Sequence, residues 1–275
     1  MFPKQSNVVP VCLTTCSHEN DFGDTITAWQ DVKRDSQTQP NLENLPEKQK
    51  SDVAALLESF EDIFKDTPGT TTLCSHHINL IPGSKPVSSP PYRLHPVKAV
   101  LVEKEIGELL DMEIIKHSDS PWVSPIVLVP KADGSVRLCT DYRKVNTLTL
   151  SDPFPLPQVE DLVDRVGRAK YLTKIDMTRG YWQVPLDEYS GPISAFVTPN
   201  GHFEWRYMPF GLRNAPATFS RLVDKLLKGL ERFCAAYLDD IIIFSDTWED
   251  HMHHLKLVFS HAYTGSGTNV EPEKM

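Results

Sequence analysis

Apolar residues along this chain change period several times, and each change predicts an element. Val53, Leu56, Leu57, Phe60 and Phe64 recur at helical spacing, which predicts an amphipathic helix over 46–66, stopped by Thr67-Pro68-Gly69. Residues 68–95 are Pro-rich and read as extended. A second helix is predicted from His95 to Lys116, carrying Val97, Leu101, Ile106, Leu109, Leu110 and Ile114. IVLVP (126–130), a KADG turn and SVRLCT (135–140) then read as a hairpin. Residues 155–168 return to helical spacing through Val159, Leu162, Val163 and Val166. YLTKID (171–176) and GYWQVPL (180–186) are rich in aromatic and β-branched residues and read as extended. PISAFVTP and HFEWRYM form a predicted hairpin through Asn200-Gly201. After Gly211, Phe219, Leu222, Val223, Leu226, Leu227 and Leu230 predict a helix with Pro216 in its first turn and Arg221, Lys225 and Lys228 on its other side. WEDHMHHLKLVF predicts a last helix through Trp248, Met252, Leu255 and Phe259, with His251, His253 and His254 on its solvent side; His76-His77 is read the same way.

The string FCAAYLDDIIIF (233–244) carries the chemistry. Asp239 and Asp240 sit between two apolar runs, each fit for a buried strand, so they fall at a hairpin tip on an oily support. Asp is common in turns, because its side chain bonds local backbone. A tight two-residue hairpin, however, prefers Asn-Gly or Asp-Gly, and Asp-Asp has no Gly to relieve the strain. Adjacent half-buried carboxylates also repel and lose hydration, costs that a divalent cation offsets. Asp176, at the end of its own strand-like run, supplies a third carboxylate. Two-metal phosphoryl transfer needs carboxylates from separate strands converging on ions roughly 3.5–4 Å apart. Oxygen-only ligands suit Mg²⁺ or Mn²⁺ better than zinc.

The ordered strings SPWVSPIVLVPKADGSVRLCTDYRKVN (120–146), DPFPLPQVEDLV (152–163), KIDMTRGYWQVPL (174–186), MPFGLRNAPATFSRLVDKLL (208–227) and YLDDIIIFSDTWEDHMHHL (237–255) resemble the reverse transcriptase of gypsy-class LTR retrotransposon Pol polyproteins. The likeness runs from about Leu45 to Phe259. It implies an α+β fold, a polymerase palm of antiparallel sheet backed by helices plus a fingers subdomain. The fingers would span about 96–150 and the palm about 151–259, after a helix and Pro-rich segment over 45–95. Residues 1–44 read as a loose acidic leader and 260–275 as a tail outside the family pattern. Thumb, connection and ribonuclease H are expected to be absent, as in a truncated copy.

By the same resemblance, Asp176, Asp239 and Asp240 are catalytic. Asp176 and Asp239 hold Mg²⁺ or Mn²⁺, with the Met177 carbonyl completing the shell, and Asp240 binds or holds the geometry. Lys131 and Arg137 would neutralise the triphosphate of the incoming deoxynucleotide. Tyr181 would lie beneath its sugar and clash with a 2′-hydroxyl, with Phe210 and Gly211 facing the same pocket. Tyr237 and Leu238 would touch the primer end. Taken alone, each has a plainer reading: a solvated turn for Lys131 and Arg137, core packing for Tyr181, Phe210 and Leu238. The implied activity is RNA-directed DNA synthesis on a primed RNA or DNA template. A non-catalytic remnant with weak nucleic-acid binding and a metal-dependent nuclease are the alternatives; ribonuclease H enters only by kinship to the whole polyprotein.

Net charge changes this picture little. The chain carries −9, but residues 19–66 hold twelve acids against five bases, which accounts for −7 and leaves −2 elsewhere. A near-neutral remainder needs only to segregate its bases to meet a polyanion, and tight, salt-resistant binding is not expected. No apolar stretch reaches 18 residues and no secretory signal is legible, so no membrane partner is expected. Five scattered Cys point to reduced thiols in an intracellular protein. Cys12, Cys16 and His18 make an incomplete metal knuckle and are read as loose side chains.

Overall fold

The computed structural model describes residues 11–17, 42, 45–64, 68–130, 136–155, 162, 165–167, 169–177, 179–237 and 240–264. In chain order the elements are β1 (Val11–Ser17), α1 (Glu47–Ser59), α2 (Pro96–Asp111), β2 (Ile115–His117), β3 (Ser124–Pro130), β4 (Val136–Thr140), α3 (Arg143–Leu148), β5 (Tyr171–Met177), α4 (Ser190–Ile193), β6 (Phe196–Thr198), β7 (Gly201–Trp205), α5 (Ala215–Leu226), β8 (Cys234–Tyr237), β9 (Asp240–Ser245) and α6 (Trp248–Thr264). Helices and antiparallel strands are mixed, and the fold is α+β. The chain divides into two compact units.

The first unit comprises Met1–Leu73, Pro155–Gly180 and Ser220–Met275. Its sheet has the order β1-β5-β9-β8, all antiparallel. Alternation fixes the register, because a one-residue slip would move the buried Ile175 of β5 to the opposite face and bring Lys174 and Asp176 into its place. One face carries Leu172, Ala235 and Ile242, packed with Leu162 and Val166. The predicted helix over 155–168 lies mostly outside the described residues. The other face meets α6, whose His251, Leu255, Val258, Phe259 and Ala262 are buried at helical spacing. Phe259 takes the edges of Phe60 and Phe64 at 5.6 and 5.3 Å, and Trp248 Nε1 donates to Asp52 at 2.9 Å, which seats α1 along α6.

Three expectations change in this unit. Residues 11–17, assigned to a loose leader, form β1, paired with β5 from Val11 opposite Met177 to Ser17 opposite Tyr171. An uncovered β5 would present a row of unpaired backbone groups, and this short β-prone run satisfies them. The last helix passes Phe259 and ends at Thr264, because Ala262 extends the buried stripe and His261 Nδ1 bonds the Leu226 carbonyl at 3.1 Å. His251 is fully buried rather than solvent-facing. Its Nε2 lies 2.8 Å from Thr173 Oγ1 and its Nδ1 3.0 Å from Ser245 Oγ, so both ring nitrogens are satisfied.

The second unit comprises Cys74–Phe154 and Tyr181–Phe219, with sheet order β2-β7-β6-β3-β4. These compact units are cut differently from the expected fingers (about 96–150) and palm (about 151–259). Residues 181–219 join 74–154 because β7 pairs antiparallel with β2 and β6 pairs parallel with β3. Lys116, placed at the end of a helix, lies in β2; α2 stops at Asp111 and Glu113 takes φ 56° to redirect the chain. The GYWQVPL segment begins as a 3₁₀ turn, Gly180–Gln183, rather than as a strand. The β6–β7 hairpin turns on Pro199-Asn200, since Thr198 pairs with Gly201; proline presets the first turn residue and Gly suits the position after the second. His76 is buried, not solvent-facing, with Nδ1 2.8 Å from Thr218 Oγ1.

Candidate active site

The ladder between β5 and β9 sets Asp176 directly opposite Asp240. Opposite residues of an antiparallel pair share a face, so Leu172 and Phe244, then Lys174 and Ile242, then Asp176 and Asp240 form one row. The row is apolar at the Leu172 end, where Leu172 and Ile242 are buried, and opens at the carboxylate end, where Asp176 is exposed. Asp240 is therefore the first residue of a strand, not the second of a turn. Its partner on β8 is Tyr237. Leu238 and Asp239, the two residues between them, lie outside the described residues.

Carboxylates facing each other across a non-hydrogen-bonded or hydrogen-bonded pair stand on Cα atoms roughly 4.5–5.5 Å apart, close enough to repel and to share a cation. Lys174 offsets part of that charge, with Nζ 2.8 Å from Asp240 Oδ2. The donors are oxygens, which fit Mg²⁺ or Mn²⁺. Among the described residues no three His, Cys, Asp or Glu side chains cluster to hold a metal; the third acid of the expected set, Asp239, adjoins Asp240 in sequence. Met177 is buried at the end of β5, so it can offer a cation only its backbone carbonyl.

In the second unit, four of the expected nucleotide-binding residues come together. The Arg137 guanidinium carbon lies 5.4 Å from the centre of the Phe210 ring. Phe210 stacks on Tyr181 with centroids 4.9 Å apart and planes at 19°, and Tyr181 leans on Phe219 at 5.2 Å. Gly211 has φ +95°, and a Cβ there would come within 3.2 Å of the Thr140 carbonyl, so this turn needs glycine. Asn146 secures it: Nδ2 donates to the Gly211 carbonyl at 2.8 Å and Oδ1 accepts from the Arg213 backbone at 2.9 Å. In the sequence Asn146 stands out only by its spacing to Arg137, Asp141 and Arg143; that it fastens this turn is visible only in the fold. Lys131 lies outside the described residues. Nearby, Arg143 grips Asp141 through two bonds of 2.9 and 2.7 Å and Tyr92 donates a third at 3.0 Å; the Arg143 bonds hold the Asp141 carboxyl well below the usual carboxylate range. The group lines a cleft of about 410 Å³ with Pro91 and Pro125.

Residues 129–275 match the family described as reverse transcriptase (RNA-dependent DNA polymerase). The chain is 36% identical over 239 residues to the retrovirus-related Pol polyprotein from transposon 297 of Drosophila melanogaster, covering 84% of this chain and 23% of that protein. It is 37% identical over 185 residues to the enzymatic polyprotein of Cauliflower mosaic virus, covering 66% of this chain and 27% of that one. The chain thus spans about a quarter of the length of these relatives. Among solved structures, the foamy viral protease-reverse transcriptase in complex with double-stranded DNA superposes with a TM-score of 0.74 at 26% identity, over 81% of this chain and 40% of that one. The same protein in complex with an RNA/DNA hybrid gives 0.71 at 26% identity, over 79% and 30%.

Proposed function

The chain belongs to the reverse transcriptase family, and from that premise we propose that it is the polymerase region of a retroelement Pol polyprotein, which extends a primer 3′-hydroxyl with deoxynucleotides on an RNA or DNA template. One observation carries the reading: the β5–β9 register that sets Asp176 opposite Asp240, next in sequence to Asp239. Asp176 and Asp239 hold Mg²⁺ or Mn²⁺ in this proposal, with the Met177 carbonyl as a further donor, while Asp240 keeps the geometry. Such ions, when bound, bring a 3′-hydroxyl in line with the α-phosphate and stabilise the departing pyrophosphate.

The chain's own groups do the positioning. Arg137, oriented by Phe210, neutralises the triphosphate, and Lys131 adds a second cation. Tyr181, held flat by Phe210, lies under the sugar and excludes a 2′-hydroxyl. Gly211 keeps the floor of that pocket free of a Cβ. Tyr237 and Leu238 meet the primer end. Nucleic acid as the partner is supported by the double-stranded DNA and RNA/DNA hybrid bound to the two foamy viral structures. An intracellular setting is proposed from the reduced thiols of Cys139 and Cys234, the latter pushed up to about 12 by burial. Among the described residues no helix is long and apolar enough to cross a membrane.

Primer extension by the full chain with Mg²⁺ or Mn²⁺ tests the reading. Asp239→Asn is expected to lower the rate at least about 10³-fold. Extension that survives the substitution removes Asp239 from the mechanism, and extension without any divalent cation removes the metal.

A further inference from the structure

The turn that carries Phe210 is latched twice to one neighbouring segment, each time by an asparagine. The Asn146 amide joins two backbone groups of the turn: Nδ2 donates to the Gly211 carbonyl at 2.8 Å, and Oδ1 accepts from the Arg213 N–H at 2.9 Å. A carbonyl only accepts and an N–H only donates, so a single orientation of the amide satisfies both. Asn214 returns the pattern, with Nδ2 donating to the Leu150 carbonyl at 2.8 Å and Oδ1 accepting from the Asp152 N–H at 3.1 Å. The two latches differ in setting. Asn214 is buried, whereas Gly211 and Arg213 are exposed and Asn146 is half-buried. Water can therefore satisfy the Gly211 and Arg213 groups when the Asn146 amide is removed, but water does not fix where they stand. The base of the outer latch is rigid, because Tyr142 and Val145 on either side of its turn of α3 are buried.

We propose that Asn146 is a positioning residue for nucleotide binding: it fixes the Gly211 carbonyl and so sets where the Phe210 ring stands. The inference rests on the polymerase reading, in which Phe210 orients Arg137 toward the triphosphate. Phe210 lies on a short span between two anchored points. Upstream, the Met208 N–H donates to the Val184 carbonyl at 2.8 Å, and Pro209 presets its own φ. Downstream, the adjoining Gly211 carbonyl is held by Asn146. From this span the ring meets the Arg137 guanidinium and the Tyr181 ring. Further along, the Arg213 Nη1 donates to the Thr149 carbonyl at 3.1 Å and Asn214 makes its own two bonds. Loss of the Asn146 amide therefore shifts the turn at Gly211 without detaching it. A shifted ring weakens the hold of Arg137 on the triphosphate, which is a loss in binding rather than in the chemical step. Asn214, four residues beyond Phe210 and buried, secures the segment without setting the ring.

Two measurements on the full chain test this: calorimetric binding of deoxythymidine triphosphate in the presence of a primer–template whose primer lacks a 3′-hydroxyl, and KM with kcat in primer extension. Asn146→Ala is expected to weaken binding and raise KM about five-fold, less than loss of the ring itself, with kcat within about two-fold and the urea midpoint nearly unchanged. Asn146→Ser, too short to span both partners, should do the same. Asn214→Ala should lower the urea midpoint and leave nucleotide binding within about two-fold. In a Phe210→Ala background, Asn146→Ala should add less than about two-fold, because the ring it places is gone. If Asn214→Ala does not fold, the Phe210→Ala comparison decides alone. Equal weakening by Asn214→Ala overturns the proposal, because general loosening of the segment would then suffice. An equal effect of Asn146→Ala with and without Phe210 also overturns it. A parent chain that binds no deoxythymidine triphosphate overturns the nucleotide reading of the site and this inference with it; a parent that binds, with Asn146 variants that do not differ, overturns this inference alone.

Discussion

The carboxylate end of the β5–β9 ladder and the Arg137–Phe210–Tyr181 stack are ordered by different forces. In the first, backbone pairing does the aligning: once Ile175 and Ile241 are buried, the ladder has one register and Asp176 must face Asp240. In the second, no ladder links the three residues. Arg137 comes from β4, Tyr181 from a 3₁₀ turn and Phe210 from a loop that Asn146 fastens at Gly211. Ring stacking and one close-fitting glycine supply the alignment. The ladder is therefore sensitive to what lies beneath the sheet, and the stack to the loss of any one of its own side chains.

Cutting beneath the ladder should have the largest effect. Ile175 is fully buried, and Ile175→Ala is expected to destabilise the first unit by about 2–5 kcal/mol through lost transfer energy and a cavity. Urea denaturation should show that loss, with Mn²⁺ affinity falling alongside. A mutant that loses stability with an intact metal affinity would show that the acids do not depend on the register.

Acid acts on both units through histidines buried almost completely. His251 in the first unit and His76 in the second are both lowered from the ordinary 6.5 to about 4, chiefly by burial. Their contribution to stability is fully present above about pH 6.5. Between about 6.5 and 4 the unfolded chain takes up the proton and the folded chain does not, so stability falls with pH by about 3 kcal/mol per histidine. Denaturation midpoints at pH 7, 5.5 and 4.5 should decline accordingly. His251→Gln and His76→Gln should each flatten the decline through their own unit, and a slope unchanged in both single variants would contradict the burial argument.

Smaller still is the effect of removing one ring from the stack. Phe210→Ala forfeits the contacts to Tyr181 and Arg137, together worth about 1–2 kcal/mol, so KM for the deoxynucleotide should rise roughly ten-fold at nearly constant stability. An equal fall in kcat with KM unchanged would place Phe210 in the transition state instead.

The same contrast explains what the sequence made legible. Asp239 and Asp240 stood out because acids adjoin between apolar runs, and Asp176 because it ended another such run; the local period carried the information. β1 was hidden, since VCLTTCS becomes a strand only because β5 offers it an open edge. The burial of His251 was half-visible: it lies three residues after Trp248 and four before Leu255, on the apolar stripe. The hydroxyls that make burial tolerable, Thr173 and Ser245, come from two other strands. Likewise the union of 181–219 with 74–154 depends on the parallel pairing of β3 with β6, which no local pattern announces. Lys174 was legible only as an interruption in a strand; its ion pair needed the diagonal across to Asp240.

The most direct measurement is template-directed primer extension by the full chain and by Asp176→Asn, with Mg²⁺ or Mn²⁺ and with chelator. The account predicts cation-dependent incorporation by the parent and a loss of at least about 10³-fold in the variant, with secondary structure unchanged. Equal extension by the two proteins, or incorporation that persists in chelator, would contradict it.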